Sequence, residues 1–207
     1  MPPRAWLPIG IIAALPLSAA CTIELSPAAV IGDTAVSATL RLSEPAPSSG
    51  LIVRLDSSAW AVRTESQLTI PGGHSTVAFT ISTSPVAANT HAVISVAAGQ
   101  CNSSAGVTVY PPILAGVSLA DVACSANSGL RGAIMLNGPA PATGAVVTLQ
   151  SSDLHVTVPA YVTIPPGHST AEFSLSTGQV LSRNAVAVTA TYGASAQTAL
   201  LNVLPGI

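Results

Sequence analysis

Apolar and polar residues alternate with a period of two along a series of short segments. Val36, Ala38, Leu40 and Leu42 fall on one side of a segment, with Ser37, Thr39 and Arg41 on the other. Val77, Phe79 and Ile81 alternate with Ala78 and Thr80, and Ala92, Ile94, Val96 and Ala98 form another such row. This period is that of a half-buried β-strand, not of a helix. Every one of these segments returns later in the chain. Leu130, Gly132, Ile134 and Leu136 repeat the first, Ala171, Phe173 and Leu175 the second, and Val186, Val188, Ala190 and Tyr192 the third. Val107 and Val109 in a closing strand are matched by Leu201 and Val203.

The offset between copies is about 94 residues, without gaps, from Ile23 to Tyr110, with roughly 30% identity. A period of this length is a whole small domain, longer than a solenoid unit. Turn formers punctuate both copies at the same places. Pro45-Ala46-Pro47 through Gly50 matches Pro139 through Gly144, and Gly99 and Gly193 open the last hairpin of each copy, where a positive φ is expected. Seven or so strands per copy at turn spacings of roughly 8 to 12 residues predict an all-β chain. The expected architecture is two tandem antiparallel β-sandwiches, their cores filled from both sheets with Phe79 and Phe173 as the largest plugs. Tyr110-Pro111-Pro112 forms the junction, so the domains are placed at 21–111 and 112–207, joined stiffly end to end.

Composition narrows the function classes. Hydrophobic residues make up 49% of the chain, but aromatic residues only 3% and charged residues 7%, against roughly 25% charged in an ordinary domain. Ala, Val, Ser and Thr fill the gap, there is no Lys, and the net charge is −2. Without a basic stripe, nucleic acid is not an expected partner. Residues 1–20 read as a signal peptide: Arg4, an apolar run from Trp6 to Leu17, and Ser18-Ala19-Ala20 ahead of the cleavage point. The run is too short for a permanent span, and the protein is expected to be exported.

The repeated Thr69-Ile70-Pro71-Gly72-Gly73-His74-Ser75-Thr76-Val77-Ala78-Phe79 and its counterpart from Thr163 resemble a family. So do Ala190-Thr191-Tyr192-Gly193 and Thr198-Ala199-Leu200-Leu201-Asn202-Val203. The family is the bacterial immunoglobulin-like (Ig-like, fibronectin III-like) tandem repeat domains of secreted and cell-surface proteins. The resemblance covers nearly the whole chain after the leader and implies spacer, adhesin-stalk or enzyme-appendage roles. The Cys…Trp…Cys core of antibody domains is absent.

Three cysteines remain after the leader, and the copies share none of them. In an immunoglobulin-like topology Cys21, at the start of the first strand, neighbours Cys101 in the last hairpin, and a disulfide between them is expected. Cys21 directly after the cleavage point also resembles the acylated cysteine of bacterial lipoproteins, although Ser18 stands where that signal carries Leu. The two fates of Cys21 are alternatives, and membrane attachment is expected only with acylation.

Candidate chemistry is sparse. His74 and His168 sit at equivalent turns of different domains and read as turn residues, and His91 and His155 have no Cys or carboxylate at ligand spacing. There is no Gly-x-Ser-x-Gly elbow. No carboxylate pair recurs in both copies to suggest glycoside hydrolysis. No catalytic residue, metal ligand or cofactor is therefore expected, and the chain does not read as an enzyme. Trp60 is the single Trp after the leader. It reads either as an apolar lid on the sandwich end or as an exposed ring that contacts a ligand. The expected function is an exported, non-catalytic structural or interaction protein for adhesion or spacing at the cell envelope or outside it. Its partner would be a protein or glycan of the cell surface. The alternatives are a carbohydrate-binding module using Trp60 and the sandwich-end loops, or an accessory part of an extracellular enzyme system.

Overall fold

A computed structural model describes residues 20–99 and 101–206; apart from Ala20, the expected signal peptide lies outside the described residues. Those residues build two immunoglobulin-like β-sandwiches and no helix. The first contains β1 (Cys21–Ser26), β2 (Ala29–Ile31), β3 (Val36–Leu42), β4 (Leu51–Ser57), β5 (Val62–Arg63), β6 (Gln67–Ile70), β7 (Thr76–Thr83), β8 (Thr90–Ala98) and β9 (Cys101–Tyr110). The second repeats the series as β10 (Leu114–Leu119), β11 (Ala123–Ser125), β12 (Gly129–Leu136), β13 (Ala145–Ser151), β14 (Val156–Thr157), β15 (Tyr161–Ile164), β16 (Thr170–Thr177), β17 (Asn184–Tyr192) and β18 (Ser195–Leu204).

In the first sandwich a four-stranded sheet β1-β3-β7-β5 faces a five-stranded sheet β2-β9-β8-β4-β6. The second has the same order, β10-β12-β16-β14 against β11-β18-β17-β13-β15. Each sandwich thus has nine strands where the alternation predicts about seven. The extra ones are short: β2 and β11 have three residues, β5 and β14 only two. Nor is every pair antiparallel, because β2 runs parallel to β9 and β11 parallel to β18. The chain enters along one sheet and crosses to the other within a few residues, so the same entering segment supplies an edge strand to both sheets, and short edge strands limit unwanted strand pairing.

Each sandwich has its own core, built from the alternating faces. Val36, Leu40 and Ile81 meet Val53, Ile94 and Val107 in the first, all fully buried. Ile134 and Leu175 meet Val147, Val188 and Leu201 in the second. Burial of such side chains contributes about 1.5–3 kcal/mol apiece.

The two expected aromatic plugs differ. Phe173 is buried, but Phe79 is only partly so. The cause lies across the strand. Phe173 pairs with Gly132, and its ring occupies the place where a Cβ would stand, since an added Cβ would lie 2.3 Å from Phe173 Cζ. Phe79 pairs with Ala38, whose methyl fills that place, so the ring is held off the core.

The Pro-rich repeats form a clasp between two loops. Ala46 N–H donates to His74 O and Gly73 N–H to Ala46 O; Ala140, His168 and Gly167 repeat both bonds. Gly73 and Gly167 take φ near +80 and +74, which suits glycine. The repeated signature builds this clasp in both sandwiches. A second duplicated device escapes the alternation pattern. Thr83 and Thr177 are buried; the Thr83 hydroxyl accepts the Thr34 N–H and donates to Thr34 O, and the Thr177 hydroxyl accepts the Ser128 N–H and shares its proton between Ser125 O and Ser128 O. Thr34 and Ser128 follow Asp33 and Asn127, the two non-glycine positions of positive φ among the described residues.

Candidate functional site

Between β4 and β5 the chain turns through Ser58, Ala59, Trp60 and Ala61. Ser57 Oγ bonds both the N–H and the C=O of Ala59, and Val62 N–H donates to Ala59 O. Ser58 is tied to β8 from both ends, its N–H donating to Val93 O and its Oγ accepting from Val93 N–H. Ala61 and Val62 are anchored in the core. Trp60 is left as the apex residue, 68% exposed. The lid reading of Trp60 is therefore not the arrangement observed. The second sandwich builds the same loop with the same bonds at Ser151, Ser152 and Asp153, but its apex is the fully exposed Leu154.

Beside the Trp60 ring lies a shallow hollow of roughly 390 Å³, walled by Asp56, Arg63, Thr64 and Ser66. A second hollow of roughly 400 Å³ shares Asp56 and Ser66 with it and adds Arg54, Gln67, Ser95 and Ala97. A third, roughly 530 Å³, shares Ser95 and Ala97 and reaches Asn102, Ser103 and Ser104. The second and third form one trough across the outer face of the five-stranded sheet, and the first adjoins it at Asp56 and Ser66, beside the stretch of β4 that β6 does not pair. Strand register explains its composition. Gln67, Arg54, Ala97 and Asn102 stand in one cross-strand row, and Asp56, Ser95 and Ser104 in the next. Small residues at the centre of each row make the floor, and longer polar arms make the walls.

Among the described residues the charged side chains of this face are unengaged. Among the described residues the ion pairs are Arg131–Glu172 and His155–Asp153, so Arg54, Arg63 and Asp56 enter none. The Thr64 Oγ1, also in the lining, is the one buried side-chain N or O atom without a partner among the described residues. The second sandwich differs at each of these places. Tyr161, Thr148, Thr191 and Ala196 replace the first row, and Gln150, Thr189 and Thr198 the second. There the hydroxyls satisfy one another or the backbone: Thr189 bonds Thr198 at 3.1 Å, and Thr148 donates to Thr191 O at 3.3 Å.

The remaining candidates are located plainly. Cys21 and Cys101 are joined by a disulfide with a Cα–Cα distance of 5.5 Å. Lipidation of Cys21 needs the same sulfur, so the structure holds the bonded alternative. Cys124 is free and half-buried in β11, its thiol pushed up by burial. His74 Nδ1 lies 3.3 Å from Gly72 O and His168 Nδ1 3.1 Å from Pro166 O, each on its own turn. His91 lies over Gly106, and His155 bonds Asp153. Asp153 also accepts the His155 N–H and the Asn184 amide, and these bonds hold its carboxyl below the ordinary range. Among the described residues no three of His, Cys, Asp and Glu gather within reach of one metal ion. Sequence reasoning found Trp60 but not Arg54, Asp56, Ser95 or Asn102. Alternation places those residues outward, but only register brings them together.

No protein-family model matches the chain, and no curated protein matches it. Solved structures similar to it include the Yersinia pseudotuberculosis adhesin InvE, at 13% identity and a TM-score of 0.40 over 92% of this chain and 59% of that one. The titin domains z1z2, solved in complex with telethonin, are similar at 10% identity and a TM-score of 0.39, over 89% and 96% of the respective chains. Bovine butyrophilin is similar at 10% identity and a TM-score of 0.37, over 91% and 99%. The chain spans 59% of the length of the InvE chain it matches.

Proposed function

We propose that the chain is an exported, non-catalytic interaction protein whose two immunoglobulin-like sandwiches serve adhesion or spacing at the cell envelope or outside the cell. One observation carries this reading. Trp60 is held outward, 68% exposed, on a loop whose neighbours are all pinned. A large ring kept in water by a rigid loop is an anchor for a partner. The Cys21–Cys101 bond supports the exported setting, because such bonds persist in oxidising compartments. With the Cys21 sulfur in that bond, the protein is released or held by a partner rather than by an acyl chain.

Fractionation of producing cells, with protease shaving of intact ones, tests the location. Binding of the labelled, oxidised chain to intact cells tests the interaction. Saturable binding that weakens about tenfold in Trp60→Ala is expected, the scale of a lost aromatic anchor. A chain confined to the cytoplasm, or cell binding indifferent to Trp60, overturns the reading.

A further inference from the structure

The trough of the first sandwich has a chemistry of its own. It crosses three inter-strand spacings, about 14 Å, and continues onto the Trp60 ring at one end. Its lining is hydroxyl, amide, guanidinium and carboxylate, with Ser95 and Ala97 as a flat floor. A peptide segment docking on a sheet uses an open strand edge or an apolar pocket, and the floor of this trough offers neither: Ser95 and Ala97 belong to β8, which is paired by β4 on one side and β9 on the other. A sugar chain presents what the trough lacks: C–H faces that stack on an indole, and rims of hydroxyls that both donate and accept. Asp56 accepts only, Arg54 and Arg63 donate only, and Asn102, Gln67 and the serines do both. One carboxylate against two guanidiniums leaves no strong field to select a polyanion.

Resting on the interaction role proposed above, we infer that the outer face of sheet β2-β9-β8-β4-β6 binds a neutral glycan chain. One ring stacks on Trp60, and the following sugars run past Asp56 and Arg54 toward Asn102. The second sandwich lacks the site, because Leu154 replaces the ring and Thr148, Thr189 and Thr198 are already bonded to each other or to the backbone.

Affinity electrophoresis of the oxidised full chain through native gels containing xylan, mannan, hydroxyethylcellulose or laminarin reads the binding directly, with alginate and heparin as polyanion probes. Retardation by at least one neutral polysaccharide is expected. It should weaken about tenfold in Trp60→Ala and by a smaller factor in Asp56→Asn, and stay unchanged in Leu154→Ala. Both site residues are exposed, and circular dichroism of each variant verifies the fold. Retardation by the polyanions alone, by no polysaccharide, or equally in Trp60→Ala overturns the inference. Trp60-dependent binding to cells without any neutral polysaccharide retarding the chain would sink the glycan and leave the interaction role standing. Polysaccharide binding by a chain that never leaves the cytoplasm would do the reverse.

Discussion

The two sandwiches share every strand, every pairing and both loop clasps, yet they solve the same positions differently. Opposite the phenylalanine of the four-stranded sheet, one has Ala38 and the other Gly132. The missing methyl lets Phe173 lie flat across the strand, while Phe79 stands partly in water. Where the first strand meets the last hairpin, one sandwich has the Cys21–Cys101 bond. The other has Ser195, whose Oγ accepts the Leu114 N–H at 2.9 Å and donates to Tyr192 O at 2.8 Å. Duplication has kept the strand order, and the register apart from a bulge between Leu114 and Gly116, while the contents of single positions diverged. A difference of one methyl or one sulfur is therefore readable against an internal control.

The sharpest way to break the comparison is to remove the aromatics. Phe173→Ala should destabilise the second sandwich by about 3–5 kcal/mol, the cost of a buried ring. Phe79→Ala should cost clearly less in the first; denaturant unfolding of each variant gives the two values. Equal losses would mean that partial exposure of Phe79 has no energetic weight. Next, Cys21→Ala with Cys101→Ala should cost the first sandwich about 2–5 kcal/mol, because the bond closes a long loop of the unfolded chain. Ser195→Ala at the equivalent joint should cost the second only about 1 kcal/mol. Gly132→Ala makes the second sandwich imitate the first. Its Cβ must displace the Phe173 ring, at about 1–3 kcal/mol, and the ring should become more accessible to solvent quenchers.

The smallest effect is one of pH. The Asp153 carboxyl sits below its ordinary value because His155 N–H, then Asn184 and the His155 ring, bond it. A depressed folded pKa means stability that is present above the unfolded pKa and lost as pH falls through the folded one. The second sandwich should therefore soften below about pH 4 and lose that dependence in Asp153→Asn. The first sandwich has Ala59 at this position and should show no matching component.

Alternation was enough to read the longer strands and the inward faces of the two cores, and the glycines themselves marked the positive-φ turns at Gly99 and Gly193. Segments of two or three residues are too short to alternate, which hid β2, β5, β11 and β14. Direction of pairing is also silent in a period of two, so the parallel β2–β9 contact could not be read. Phe79 was misplaced because its burial depends on Ala38, some forty positions away, and only the register makes them neighbours. The same holds for the trough. Trp60 stands out by rarity, but Arg54, Asp56, Ser95 and Asn102 are ordinary residues until four strands bring them into two rows.

The disulfide also decides how tension would travel. Pulled between Cys21 and Tyr110, the first sandwich carries the load through the sulfur bridge into Cys101 and straight along β9, so the strands between lie off the line of force. The second has no such bypass, and its load falls on hydrogen bonds, including the parallel β11–β18 pair strained in shear. Single-molecule stretching of the oxidised chain should accordingly give one lengthening event of roughly 300 Å for about 90 released residues, with a second appearing on reduction. Held by its ends, the molecule is a rigid link in series with an extensible one, and the face that carries Trp60 belongs to the link that does not give.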